Sequence, residues 1–264
     1  YNISIMKRLH APLVIGNWKM NPQTLLAART LATGVVAVKR QARTQSDVMV
    51  APPFPFIGEV VAKVGKAGVG VVAQDMSPEP MGAFTGSVSA SMLKSVGVVA
   101  VIVGHSERRK AGMTNVAVQA VVDAVLKARL TPIVCVGETE RDTHGHFFDV
   151  VETQLTTALK NVVKSKLADV VIAYEPVWAI GTGKTALPED VEEMKLFIQK
   201  VLITTYGRAL APKVRILYGG SVNAKNVEEL WQKASVDGFL VGGASLDVKE
   251  FATIIKTTNQ HVTN

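Results

Sequence analysis

Lysine, histidine, glutamate and paired glycines each stand directly after a short apolar run in this chain, and together they could do acid–base chemistry on a phosphorylated substrate. Asn17 and Lys19 follow the first run, His105-Ser106-Glu107-Arg108 the fourth, Glu175 the sixth, Gly219-Gly220-Ser221 the seventh and Gly242-Gly243 the eighth. Singly, each has an ordinary use: a solvated lysine, a capping histidine, a structurally paired glutamate, tight turns. Jointly, those uses give no reason for a base, an imidazole and an ammonium group to share one rim, and the coincidence points to catalysis. Backbone without a Cβ can bring N–H groups close to a dianion, so the glycine pairs imply a small phosphorylated molecule.

Gly181-Thr182-Gly183-Lys184-Thr185 invites a competing reading as a nucleotide-binding loop. That motif needs glycine five residues before Gly183, where Trp178 stands, and the following helix starts too late, at Pro188, to open around phosphates. An NTPase is therefore excluded. The remaining reading is a hinged lid over residues 176–186: Pro176, Val177, Trp178, Ala179 and Ile180 as its apolar front, then Gly181, Thr182, Gly183, Lys184, Thr185 and Ala186.

The elements that must position these residues are legible as an alternation. Apolar runs occur at Leu13 to Ile15, Val48 to Val50, Val69 to Ala73, Val99 to Val103, Pro132 to Val136, Val170 to Ala173, Val214 to Tyr218 and Phe239 to Val241. None alternates with polar residues, as expected of parallel strands covered on both faces. Between them lie stripes at helical spacing, such as Leu25, Ala28, Leu31, Val35 and Val38, or Val118, Val121, Val122 and Val125; others run from Val151 to Val162 and from Val191 to Val201. Pro188-Glu189-Asp190 reads as a helix first turn. Eight such units predict an α/β fold, one closed (β/α)8 barrel of eight parallel strands with its site where the strands end. The domain runs over 6–258. Because Met6-Lys7-Arg8 resembles a translation start, residues 1–5 are set aside as a remnant or upstream extension.

Composition narrows the rest. With 48% hydrophobic and 19% charged residues the chain is globular, and no run is long enough for a membrane span. A single cysteine, Cys135, leaves no intrachain disulfide and fits a reducing compartment, so a cytoplasmic location is expected. His144 and His146 lack further ligands at metal spacing and read as a polar loop. The formal charge of +7 is spread over short basic groups, which suits solvated helix faces better than nucleic acid.

Five segments, in order, resemble the signatures of the triosephosphate isomerase family: Asn17 to Asn21, Gly104 to Arg109, Ala173 to Lys184, Tyr218 to Val222 and Gly238 to Ala244. The resemblance covers residues 12 to about 256 and implies a TIM barrel that interconverts dihydroxyacetone phosphate and D-glyceraldehyde 3-phosphate through an enediolate, in glycolysis and gluconeogenesis, without metal or coenzyme. It implies Glu175 as the base and His105 as the neutral electrophile, the roles this enzyme illustrates generally. By the same resemblance Lys19 supplies positive charge, Asn17 orients His105 or a substrate oxygen, and Glu107 sits beside Lys19. Gly181, Ser221, Gly242 and Gly243 hold the phosphate, and Tyr218 and Ser221 bond the closed lid.

The resemblance also implies a homodimer, in which the loop of residues 74–86 enters a pocket of the other subunit, with Met20, Gln74, Phe84 and Thr85 at the contact. Three departures from the family pattern bear on assembly: Ser87 and Met113 stand where acids are usual, and the stretch from Gly137-Glu138-Thr139 to Gly145 is shortened. Arg108 is thereby expected to lack its usual partners or to re-pair, and the dimer to rest on apolar burial.

Overall fold

The computed structural model describes residues 10–42, 45–180 and 186–260. Residues 1–5, set aside above, and the Gly181 to Thr185 centre of the expected lid lie outside the described residues. Eight parallel strands close on themselves in sequence order: β1 (Leu13–Asn17), β2 (Asp47–Ala51), β3 (Val69–Ala73), β4 (Ala100–Val103), β5 (Thr131–Val136), β6 (Val171–Tyr174), β7 (Arg215–Tyr218) and β8 (Gly238–Val241). Closure comes from β1 pairing with β8, Leu13 against Gly238 through Gly16 against Val241.

Around the barrel run α1 (Leu25–Ala42), α2 (Ile57–Val64), α3 (Ala90–Ser95), α4 (Ser106–Lys110), α5 (Asn115–Lys127), α6 (His146–Ala158), α7 (Pro188–Tyr206), α8 (Val227–Lys233) and α9 (Val248–Gln260). The apolar runs all fall on strands, although Val99, Val170 and Val214 precede theirs by one residue. The stripe from Val151 overshoots, since α6 ends at Ala158 and Leu159 and Val162 pack from the turn beyond it. Helix α7 starts at Pro188, where the Asp190 carboxylate accepts the N–H of Leu187 at 3.0 Å.

Two apolar clusters explain why the strands do not alternate. Leu13, Ile15, Ala51, Val72, Ala100, Ile102, Ile133, Cys135, Val171, Ala173, Leu217 and Leu240 fill the barrel interior. Their neighbours, such as Val14, Val101, Val134 and Ile172, face outward against the helices. Successive strand residues point to opposite faces, so extending the inward parity one step past each strand gives the rim layer. Past β3 to β8 that step reaches Gln74, Gly104, Gly137, Glu175, Gly219 and Gly242, and on β1 the same parity falls on its last residue, Asn17.

Candidate active site

Glu175 is the rim's buried carboxylate, 2% exposed. Its Oε2 accepts the backbone N–H of Ser106 at 2.9 Å. Its Oε1 lies 2.9 Å from His105 Nε2 and has no hydrogen-bond partner among the described residues. Gly219 presses against the same side chain: a Cβ there would lie 3.0 Å from Glu175 Cγ.

His105 is placed by a turn. After β4, Gly104 takes a φ of +72°, a region that favours glycine, and aims the next residue into the rim. His105 then caps α4, its Nδ1 accepting the N–H of Glu107 at 3.2 Å. A backbone N–H can only donate, so Nδ1 carries no proton and the neutral ring keeps its proton on Nε2, the nitrogen facing Glu175.

Lys19 comes from the opposite side of the rim. Its backbone sits at φ +53°, costly for a residue with a side chain, and is held from both ends. Asn17 Oδ1 accepts the Lys19 N–H at 3.0 Å, and Gln74 Nε2 donates to the Lys19 carbonyl at 2.8 Å. The ammonium group pairs with Glu107 Oε1 at 2.7 Å. A Cβ on Gly242 would lie 3.5 Å from Lys19 Cε, so this cation borders the glycine turn after β8. Ser221 is exposed at the rim, and Gly243 opens a short 3-10 turn ending at Leu246.

The loop after β6 is anchored by a network that sequence reading did not find. Glu138, buried just past β5, accepts from Trp178 Nε1 at 2.8 Å, Tyr174 Oη at 2.9 Å and Arg141 Nε at 3.1 Å. Burial first, and then the Glu138 carboxylate, push the Tyr174 hydroxyl's titration far above its usual range, so it remains a donor. Arg141 also reaches Asp190 Oδ1 at 3.0 Å and Glu193 Oε2 at 2.9 Å on α7. Only the place of an acid two residues past an apolar run hinted at Glu138. Val177–Ala179 of the expected lid front forms a 3-10 turn on this anchor. The Tyr218 hydroxyl is buried with no partner among the described residues.

At the expected subunit contact, Met20 is 83% exposed and Phe84 48% exposed, while Gln74 gives its amide to carbonyls of its own chain, Lys19 and Ala51. Arg108 does not lack a partner: its Nε meets Asp75 Oδ2 at 2.7 Å. Among the described residues no cluster of three or more metal-ligating side chains occurs, and no helix is long and apolar enough to cross a membrane.

A closed parallel barrel whose carboxyl-end rim gathers a buried carboxylate, a neutral imidazole and an ammonium group defines the class, a (β/α)8-barrel enzyme. Comparison with known proteins narrows it: the triosephosphate isomerase family model matches residues 12–258. Triosephosphate isomerase of Carboxydothermus hydrogenoformans is 44% identical over 250 residues, 94% of this chain and 99% of the relative. Those of Moorella thermoacetica and Endomicrobium trichonymphae are 45% and 42% identical, each over 94% of this chain and covering 98% and 99% of the relative. The chain belongs to the triosephosphate isomerase family.

Proposed function

We propose that Glu175 and His105 divide the proton chemistry of the reaction this chain catalyses, the interconversion of dihydroxyacetone phosphate and D-glyceraldehyde 3-phosphate, a step of glycolysis and of gluconeogenesis. Glu175 takes a proton from the carbon beside the carbonyl, and the electron pair moves onto the carbonyl oxygen to give an enediolate. The hydroxyl proton then passes from the neighbouring oxygen to this one, and Glu175 returns its proton to the former carbonyl carbon as the new carbonyl forms on the other. His105 stabilises the oxyanion through Nε2–H. The observation that carries this is the division of its ring: Nδ1 is committed to the Glu107 N–H, which leaves Nε2 as donor beside Glu175 Oε1. For the carboxylate to reach substrate it must release the Ser106 N–H.

Lys19 supplies positive charge to the substrate oxygens and phosphate, Glu107 anchors it, and Asn17 fixes its backbone and borders the reacting oxygens. Gly181, Ser221, Gly242 and Gly243 offer N–H groups to the phosphate, which the Lys19 ammonium also borders at Gly242. An enediolate phosphate exposed to water eliminates phosphate, so the segment 176–186 serves as a lid, with Tyr218 and Ser221 as its latches. The unpartnered, buried Tyr218 hydroxyl supports that latch.

The exposed Met20 and Phe84 favour a homodimer in which the loop carrying Phe84 and Thr85 enters a second copy, and the buried lone thiol of Cys135 suits the cytoplasm. A coupled assay of dihydroxyacetone phosphate formation tests the assignment. Glu175→Ala should fold and lose about 10²-fold or more in kcat. Turnover like that of the parent would remove Glu175 from the role of base.

A further inference from the structure

The ladder between β4 and β5 ends at Val103 opposite Val134. One further step of the register would set Gly104 against Cys135, and there an arginine replaces the ladder. Arg109 Nε donates to the Gly104 carbonyl at 2.8 Å and Nη2 donates to the Cys135 carbonyl at 3.3 Å. The third nitrogen, Nη1, donates to Asn115 Oδ1 at 2.5 Å, at the first residue of α5. One planar fork thus fastens the last peptide before His105 to the next strand and the next helix.

The fit is close. A Cβ on Gly104 would lie 3.1 Å from Nη2 and 2.9 Å from Val118 Cγ2, so the glycine makes room for the fork as well as for the positive φ. The backbone N–H of Arg109 also donates to the His105 carbonyl, at 3.0 Å, so His105 is flanked on both sides by bonds to one residue. Burial pulls the guanidinium's proton affinity down, while the charge of Glu175 opposes that pull. An arginine remains charged under such a load where a lysine titrates more readily.

We propose that Arg109 is a positioning residue for the reaction: its fork fixes the Gly104–His105 peptide, and so holds the imidazole with Nδ1 on the Glu107 N–H and Nε2 towards the substrate. The inference rests on the reading of His105 as the electrophile. It needs all three guanidinium nitrogens, because their acceptors belong to three different elements, and a lysine ammonium cannot span them.

Arg109→Lys and Arg109→Met test it by steady-state kinetics, thermal melting and 15N NMR of histidine-labelled enzyme. Both variants should lose about 10- to 100-fold in kcat, the scale on which small misplacements act, with KM within about threefold of the parent. The His105 nitrogens should lose the single Nε2–H tautomer of the parent. Asn115→Ala, which frees one prong only, should shift the same readouts by less and stands in if Arg109→Met does not fold. A folded Arg109→Lys with kcat within about twofold of the parent overturns the proposal, as does a fall in kcat with unchanged His105 nitrogen shifts. If Glu175→Ala keeps turnover, the reading of the base and electrophile fails instead, whatever the Arg109 variants do.

Discussion

The Nζ of Lys19 and Oε1 of Glu107 lie 2.7 Å apart, joining the end of β1 to the first turn of α4 across the rim. Burial pushes the Glu107 carboxyl up, but the Lys19 hydrogen bond and charge outweigh it and hold the group below its usual range. A depressed carboxylate contributes stability that is complete above its unfolded pKa and fades as pH falls through the folded one. The pair should therefore survive into acid beyond an ordinary glutamate. Since Glu107 is more than half exposed, Glu107→Gln should change stability by less than about 1 kcal/mol. Its kcat/KM should nevertheless fall about 10-fold or more, because the ammonium loses its anchor. Urea unfolding beside steady-state kinetics separates the two effects, and equal losses in both would refute the anchoring role.

Gly137→Ala should strike Glu175, the proposed base, through the backbone. A Cβ on Gly137 would collide with the carbonyl oxygen of Glu175, and both groups are pinned. The Gln154 side chain holds the Gly137 N–H at 2.8 Å and its carbonyl at 3.0 Å, and Glu175 N–H bonds Val136 at 2.8 Å. Overpacking of this kind costs about 1–3 kcal/mol, and the displaced Glu175 should lower kcat further. Denaturant midpoints and kcat of the variant check this, and Gly137→Ala with parental values of both refutes it.

Arg108 and Asp75 close the electrostatic question raised by Ser87 and Met113. Asp75 is largely buried, so the ion pair satisfies it within one chain. Met20, Met81 and Phe84 remain exposed and apolar. A homodimer built on them should dissociate with little dependence on salt, because screening acts on charges and not on apolar burial. Sedimentation across dilution at low and high ionic strength reads this directly. Monomer at micromolar concentration would refute the homodimer, and strong salt-induced dissociation would refute its apolar basis. Phe84→Asp should shift the assembly towards monomer.

Cys135 should be inert while the protein is folded. It lies in the barrel interior, and burial, followed by the Glu175 charge, pushes the thiol well above its usual range, with Arg109 only partly opposing. Iodoacetamide at about pH 8 should leave it unmodified until denaturant is added, because the thiolate is the reactive species. Mass spectrometry of the native and unfolded chains reports the difference, and rapid native labelling would contradict the burial argument.

The strands were legible because both faces of a parallel barrel are covered, so each strand reads as an unbroken apolar run. Glu175, Asn17 and the glycines after β7 and β8 were legible for a related reason: they break those runs where the chain emerges at the rim. Helix α4 was not, since five residues are too few for an apolar stripe and its start depends on a histidine accepting a backbone N–H. The Glu138 network was hidden differently. Its partners lie 36, 40 and, through Arg141, 49 residues apart, and they meet only because β5 and β6 are neighbours around the barrel. Arg108 posed the same difficulty, with a partner supplied by the loop after β3.

The pairing of β1 with β8 makes the first strand wait for the last. Lys19 leaves β1 early in the chain and meets the Gly242 turn only when β8 has been made and docked. A nascent chain emerging from the ribosome can assemble β4 to β6, and with them the His105 and Glu175 neighbourhood, from contiguous sequence. The end of the rim proposed to bind the phosphate comes last, at the seam where the sheet joins itself. Moving the chain's ends to another strand junction, by circular permutation, would leave the finished barrel unchanged while altering which half of the catalytic centre is born first.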